Sequence, residues 1–208
     1  GILDALRPLL AAHDKQASDR EILELYAELE PAAQSGPYRS YRSVLADIVR
    51  GVGRHFGFAV STDEAGLLAS SLSNWKPFPD TVAALRALKR RYRLGVISNI
   101  DDDLFAATAR HLNVAFDWVI TAEQARAYKP SPAIFQIALP KMGLPPANVV
   151  HAGQSVYHDV IPAKAMGLAT VLVTRRGAGA VKRVSAQPDL EVPDLKSLAE
   201  IALPTLSS

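Results

Sequence analysis

The stretch Val149-Val150-His151-Ala152-Gly153-Gln154-Ser155-Val156-Tyr157-His158-Asp159 decides the fold. Its first four residues form a short apolar run that predicts a strand over 149–152. Gly153, Gln154 and Ser155 then turn the chain, and a helix is predicted from Val156 to Met166. Asp159 falls one turn into that helix. In open α/β sheets, ligands bind just beyond the carboxyl ends of the strands, so chemistry is expected where this strand stops.

Working outward, the same arrangement recurs. Leu94-Gly95-Val96-Ile97 predicts a strand that ends at Ser98-Asn99 and leads into a helix over 101–112. Helices are predicted over 80–91, 131–142 and 194–203, with Pro132 in a first turn where its missing N–H costs little. Strands are predicted over 118–121, 170–173 and 190–192. Strands alternating with helices indicate βαβ units and an α/β fold with a Rossmann-like parallel sheet.

Upstream of Trp75-Lys76-Pro77-Phe78-Pro79 the pattern is helical throughout. Leu3, Leu6, Leu9 and Leu10 repeat at helical spacing, and Ser18–Glu21 has the capping-box form, opening a helix to about Leu29. Gln34-Ser35-Gly36-Pro37 breaks the pattern. A third helix is predicted over 38–56, and a second capping box, Ser61–Glu64, starts a fourth that ends near Ser71. The expected organisation is an all-helical cap subdomain, residues 1–74, and an α/β core, residues 75–208, with the site beneath the cap. Trp75 and Phe78 are expected to pack the hinge, and Gly177-Ala178-Gly179-Ala180 to form a mobile loop.

Composition narrows the function classes. Of 208 residues, 49% are hydrophobic and 21% charged, as in an ordinary globular enzyme. Twenty-three basic residues against 21 acidic ones, a net charge of +2, give no reason to expect nucleic acid as partner. Lys89-Arg90-Arg91 and Arg175-Arg176 are read as solvated clusters. The absence of cysteine excludes disulfides and thiol chemistry, and fits a cytoplasmic location. No apolar run approaches the roughly 20 residues that span a bilayer, so no membrane partner is expected.

Three polar clusters sit at strand ends or in the loop after one. Ser98 and Asn99 offer a hydroxyl and a carboxamide suited to an anionic group, or they turn the chain and cap the next helix. Asp101, Asp102 and Asp103 are assigned to helix capping. Lys129, held extended by Pro130, would project from its loop. There it could keep a carboxylate nucleophile ionised and offset developing charge. Asp159 could pair with Lys129, bind a cation or orient water, while Ser155 and the first helical amides could bind an anion. His151 is read as a packed strand residue. His158 has no second histidine at ligand spacing, so no histidine metal site is expected.

In order and spacing these motifs resemble those of the haloacid dehalogenase superfamily, and within it the type II 2-haloacid dehalogenases with a helical cap. Ser98-Asn99 matches the second motif, Lys129 in Tyr-Lys-Pro the third, and Gly153 to Asp159 the fourth; Phe78-Pro79-Asp80-Thr81 resembles the re-entry from cap to core. The resemblance implies an aspartate that attacks the substrate carbon and displaces halide, followed by hydrolysis of the ester. It implies that Ser98 binds the substrate carboxylate and that Asn99 lies near the departing halide. Lys129 would orient the nucleophile, and Asp159 would hold Lys129 and assist water.

Three departures accompany it. The Asp-x-(Tyr/Asp)-Gly-Thr motif that carries the nucleophile is missing, and Asp4 lies in a helical segment that normally follows that motif. The corresponding strand would sit at the sheet centre, between those ending at Ser98 and Gly153, so a parent chain carrying it is expected. Gln154 stands where the superfamily's phosphatases usually carry a magnesium-binding aspartate, and a neutral amide is a poorer ligand for a hard cation. For the arginine that cradles halide, Arg39 and Arg42 are the candidates, with Tyr41 as an aromatic wall; Val156 and His158 stand where the dehalogenases carry asparagine and tryptophan.

The expectation is therefore a hydrolase of a small 2-halocarboxylate, using Ser98, Asn99, Lys129, Ser155 and Asp159, with Gln154 lining the substrate site and no cofactor. Two alternatives stay open: a magnesium-dependent phosphatase of the same superfamily, and a catalytically dead binding module. An exposed apolar face on a cap helix would suit a homodimer.

Overall fold

The protein is described from a computed structural model covering residues 1–175 and 186–203. The loop expected over 177–180, and Arg176, lie outside the described residues. In chain order the elements are α1 (Ile2–Ala12), α2 (Asp19–Ala33), α3 (Tyr41–Phe56), α4 (Thr62–Ala65), α5 (Leu67–Ser71), α6 (Thr81–Lys89), β1 (Gly95–Ser98), α7 (Asp102–Ala109), β2 (Trp118–Thr121), α8 (Ala122–Ala125), α9 (Ala133–Met142), β3 (Val150–Gly153), α10 (Ile161–Ala165), β4 (Ala169–Val173), β5 (Leu190–Val192) and α11 (Leu195–Ala202). They group into two compact units. One is Gly1–Lys76 with Ile100–Thr108; the other is Pro77–Asn99 with Ala109–Ser208.

The first unit is helical. Leu6, Leu9 and Leu10 of α1 are buried, as their spacing predicts. Ser18 Oγ accepts from the Glu21 amide at 3.2 Å and starts α2, which runs past Pro31 to Ala33. Pro31 lies in the last turn, so its missing N–H removes a single bond near a fraying end. Val44, Leu45, Ile48, Val49 and Val52 of α3 are fully buried. A Cβ at Gly51 would lie 2.8 Å from Leu29, so glycine lets α2 and α3 approach closely. The Ser61–Glu64 capping box forms, but the helix expected to reach Ser71 breaks at Gly66 into α4 and α5.

Among the described residues the second unit holds five parallel strands in two sheets. β1 pairs with β2, Gly95 opposite Trp118 and Ser98 opposite Thr121. β3 pairs with β4 and β4 with β5, Val150 opposite Ala169 and Val171 opposite Leu190. Among the described residues no ladder joins β1 to β3. Among the described residues β3 is therefore an edge strand of its sheet. Parallel sheets normally cover their inner strands best. Here Val150 of β3 is 62% exposed, whereas Ile120 and Thr121 of β2 are 0% exposed.

The core of this unit gathers Ile120, Ile134, Phe135, Ala138, Ala163 and Leu168, with Ile97 and Trp118 against it. Helix α6 packs on α11 through Ala84, Leu88 and Ala199. The helix predicted over 156–166 is two pieces, a π-helical turn at Val156–Val160 and then α10. Pro162 has no N–H to give the His158 carbonyl, so the regular ladder fails there and a wider turn replaces it.

Arg175 is not solvated as its sequence cluster suggests. Its guanidinium takes both Asp80 oxygens, at 2.7 and 2.9 Å, and lies 4.2 Å over the Phe78 ring. The Leu195 amide also donates to Asp80 Oδ2 at 2.9 Å. One carboxylate thus ties the end of β4 to the starts of α6 and α11.

Candidate active site

The site is built at the ends of β1 and β3, and one ammonium spans the two. Lys129 Nζ donates to the Ile97 carbonyl at 2.9 Å and to Asp159 Oδ1 at 2.6 Å. Both side chains are about nine-tenths buried, with 11% and 10% exposure. The loop that carries Lys129 is fixed by Asn99. The Lys129 amide donates to Asn99 Oδ1 at 2.6 Å, and Asn99 Nδ2 donates to the Lys129 carbonyl at 3.0 Å. One carboxamide therefore satisfies both backbone groups of the lysine. Asn99, which the resemblance sets near a departing halide, gives its carboxamide to the lysine loop.

Asp159 is seated by β3 and the turn after it. A Cβ at Gly153 would fall 2.3 Å from Asp159 Cγ, so only glycine leaves room for the carboxylate. The Ser155 amide donates to Oδ2 at 3.1 Å, and His151 Nε2 lies 3.1 Å from Oδ1. Burial by itself would raise the Asp159 pKa. The Lys129 charge, reinforced by His151, outweighs it and holds the group well below the ordinary carboxylate range. An acid so strong is a poor proton acceptor at neutral pH. The geometry makes Asp159 the counter-ion of Lys129.

The remaining predicted residues fall as follows. Ser98 ends β1 opposite Thr121 and is half-buried. Ser155 Oγ accepts from the His158 amide at 3.0 Å, so its hydroxyl caps the π-helical turn and its amide holds Asp159. Gln154 is exposed at the turn. In the helical unit, Arg39 pairs with Asp47 at 2.6 Å and Arg42 with Asp103 at 2.6 Å. Both candidate halide-binding guanidinium groups are thus already matched by carboxylates. The Tyr41 hydroxyl donates to Glu30 Oε1 at 3.1 Å, beside the Tyr26 hydroxyl at 3.3 Å. Burial pushes both Tyr41 and Glu30 up. An aromatic wall at Tyr41 would have its phenol turned to this buried acid.

Asp101 also differs from expectation. Expected to cap the helix it precedes, it receives the α3 N-terminus, accepting from the Tyr41 amide at 2.7 Å and the Arg42 amide at 2.9 Å. His151 was missed as a site residue. Its spacing held the signal, since His151 and Gly153 share one strand face and Asp159 lies over that face.

A neutral Gln154 beside an Asp159 already paired with Lys129 is a poor set for a divalent cation. Among the described residues no group of three His, Asp or Glu side chains could hold one.

The motif order, the parallel strands and this lysine–aspartate centre all fit one family, whose haloacid dehalogenase-like hydrolase model matches residues 2–167. The chain belongs to the haloacid dehalogenase-like hydrolase family. It is 25% identical over 167 residues to the (S)-2-haloacid dehalogenase of Pseudomonas sp. strain YL, covering 79% of this chain and 71% of that one. It is 28% identical over 192 residues to the glyceraldehyde 3-phosphate phosphatase of Methanothermobacter thermautotrophicus, covering 82% and 84%. With the haloacid dehalogenase-like hydrolase domain-containing protein 3 of Danio rerio it shares 33% over 105 residues, spanning only 43% of that protein. A defluorinating L-2-haloacid dehalogenase has the same fold at TM-score 0.81 and 22% identity, covering 96% of this chain and 87% of that one. No described helix of this family member is long and apolar enough to cross a membrane.

Proposed function

We propose that this hydrolase cleaves the carbon–halogen bond of a small 2-halocarboxylate without a metal, through an aspartyl ester. The observation that supports it most is the engagement of both Asp159 oxygens, Oδ1 by Lys129 and His151 and Oδ2 by the Ser155 amide, beside a neutral Gln154. Positive charge at the strand ends then comes from Lys129. The names of the dehalogenase relatives agree with this reading.

In this proposal the attacking group is a carboxylate brought to the ends of β1 and β3, beside Lys129. One of its oxygens bonds to C2 of the substrate while the carbon–halogen pair departs with the halide. Lys129, fixed by Asn99 and Asp159, keeps the attacking carboxylate ionised. Ser98 holds the substrate carboxylate, with Gln154 at the rim. Water then adds to the ester carbonyl, and its collapse releases a 2-hydroxycarboxylate and restores the carboxylate. The substrate is a small anion, and the compartment is the cytoplasm.

A second reading, a phosphatase for a small phosphate ester, is favoured by the 28% identity to the glyceraldehyde 3-phosphate phosphatase. The two are separated by assaying the chain, with any residues encoded before Gly1, on 2-chloropropionate and p-nitrophenyl phosphate, each with and without EDTA. Chloride release indifferent to EDTA is expected. Magnesium-dependent phosphate release without chloride release would overturn the proposal.

A further inference from the structure

We infer that His151 is a positioning residue, the side chain that aims the Asp159 carboxylate at Lys129. Three observations converge on it. His151 and Gly153 are two apart on β3 and present the same face. At Gly153 that face is bare, and the Asp159 carboxylate occupies the space a Cβ would need. At His151 the face carries an imidazole whose Nε2 lies 3.1 Å from Asp159 Oδ1, the oxygen that also takes the Lys129 ammonium at 2.6 Å. Glycine supplies the hole and histidine the wall.

The ring is itself held. It meets Phe135 edge-to-face at 5.1 Å and 73°, and Phe135 is fully buried. It is 11% exposed, too enclosed to swing aside. The Ser155 amide fixes the other oxygen, Oδ2, so the carboxylate is pinned at both ends and its plane is set. Without His151, Oδ1 would be held only by the Lys129 ammonium, the end of a long flexible side chain anchored besides at the Ile97 carbonyl. For that reason Nε2 is assigned as a donor: the proton sits on Nε2, facing Asp159. A packing histidine would be indifferent to which nitrogen carries it.

The inference rests on Lys129 as the working cation of the proposed reaction and is independent of which substrate is cleaved. Two variants isolate the donor. His151→Phe keeps a flat ring against Phe135 and removes the N–H. His151→Gln returns an N–H at nearly the same reach as Nε2.

Long-range 1H–15N spectra of the chain should show His151 protonated on Nε2, and the Lys129 ammonium should give a slowly exchanging 15Nζ signal. That signal should vanish in His151→Phe and return in His151→Gln. In the active protein, His151→Phe should lower kcat about 10-fold or more with KM within about twofold, because a small misplacement is enough to cost that much. His151→Gln should recover most of it. An unprotonated Nε2 in the wild-type chain would overturn the inference, whether or not a variant folds. So would a Lys129 signal or a kcat unchanged by His151→Phe. If the spectra agree but neither substrate is turned over, the seat stands and the proposed function fails.

Discussion

Lys129 and Asp159 form a buried ion pair, and such a pair is costly to break from one side. Lys129→Met leaves the Asp159 charge with His151 and one amide, so a loss of about 3–5 kcal/mol in urea unfolding is expected. In the active protein the same variant should lose about 10²–10³-fold in kcat, as for removal of one electrostatic stabiliser. Asp159 is more acidic folded than unfolded, where it titrates near ~3.9. Its ionisation therefore stabilises the fold above that pH, and the contribution drains away as the pH falls toward the folded-state value. Unfolding free energies measured from pH 7 downward should show this slope in the wild-type chain and a shallower one in Asp159→Asn. Asn99→Leu leaves the Lys129 amide and carbonyl without partners and should cost about 1–3 kcal/mol.

Among elements, single acidic side chains do the joining. Asp80 ties β4, α6 and α11 through Arg175 and the Leu195 amide. Arg175→Met should cost about 3 kcal/mol in urea unfolding, the lower end for a mostly buried pair. Asp101 holds the first amides of α3, and Asp101→Ala should cost about 2 kcal/mol, the upper end for a lost cap, because Asp101 is only 4% exposed. The boundaries of most elements follow from periodicity and capping: β2 and β5 fall at 118–121 and 190–192 as predicted. Where the outcome departs, a partner outside the element decides it. The segment expected to open a helix at 38 begins it at Tyr41, where Asp101 meets the helix N-terminus.

For the second unit as a whole, the consequence lies in the sheet. β4 is paired on both sides and β1 and β3 on one side each. Hydrogen exchange should therefore protect the alternate β4 amides more than those on the unpaired edges of β1 and β3, by about 10²-fold if the edges open locally. A nucleophile-bearing strand that pairs with β1 and β3 should slow those edge amides selectively while leaving β5 unchanged. Equal exchange with and without residues encoded before Gly1 would count against the proposed source of the nucleophile.

By itself the sequence determined the alternation of strand and helix, the positions of Ser98, Lys129 and Asp159 at strand ends, and the family. These are legible because hydrophobic periodicity, turn residues and short motifs are local. Only the tertiary structure decided how the polar side chains are shared. Asn99 serves the Lys129 backbone 30 residues away, His151 serves Asp159, and the carboxylates of Asp47 and Asp103 take up Arg39 and Arg42. A side chain with several possible hydrogen-bond partners chooses among whatever the fold brings within about 3 Å, and sequence spacing does not carry that distance.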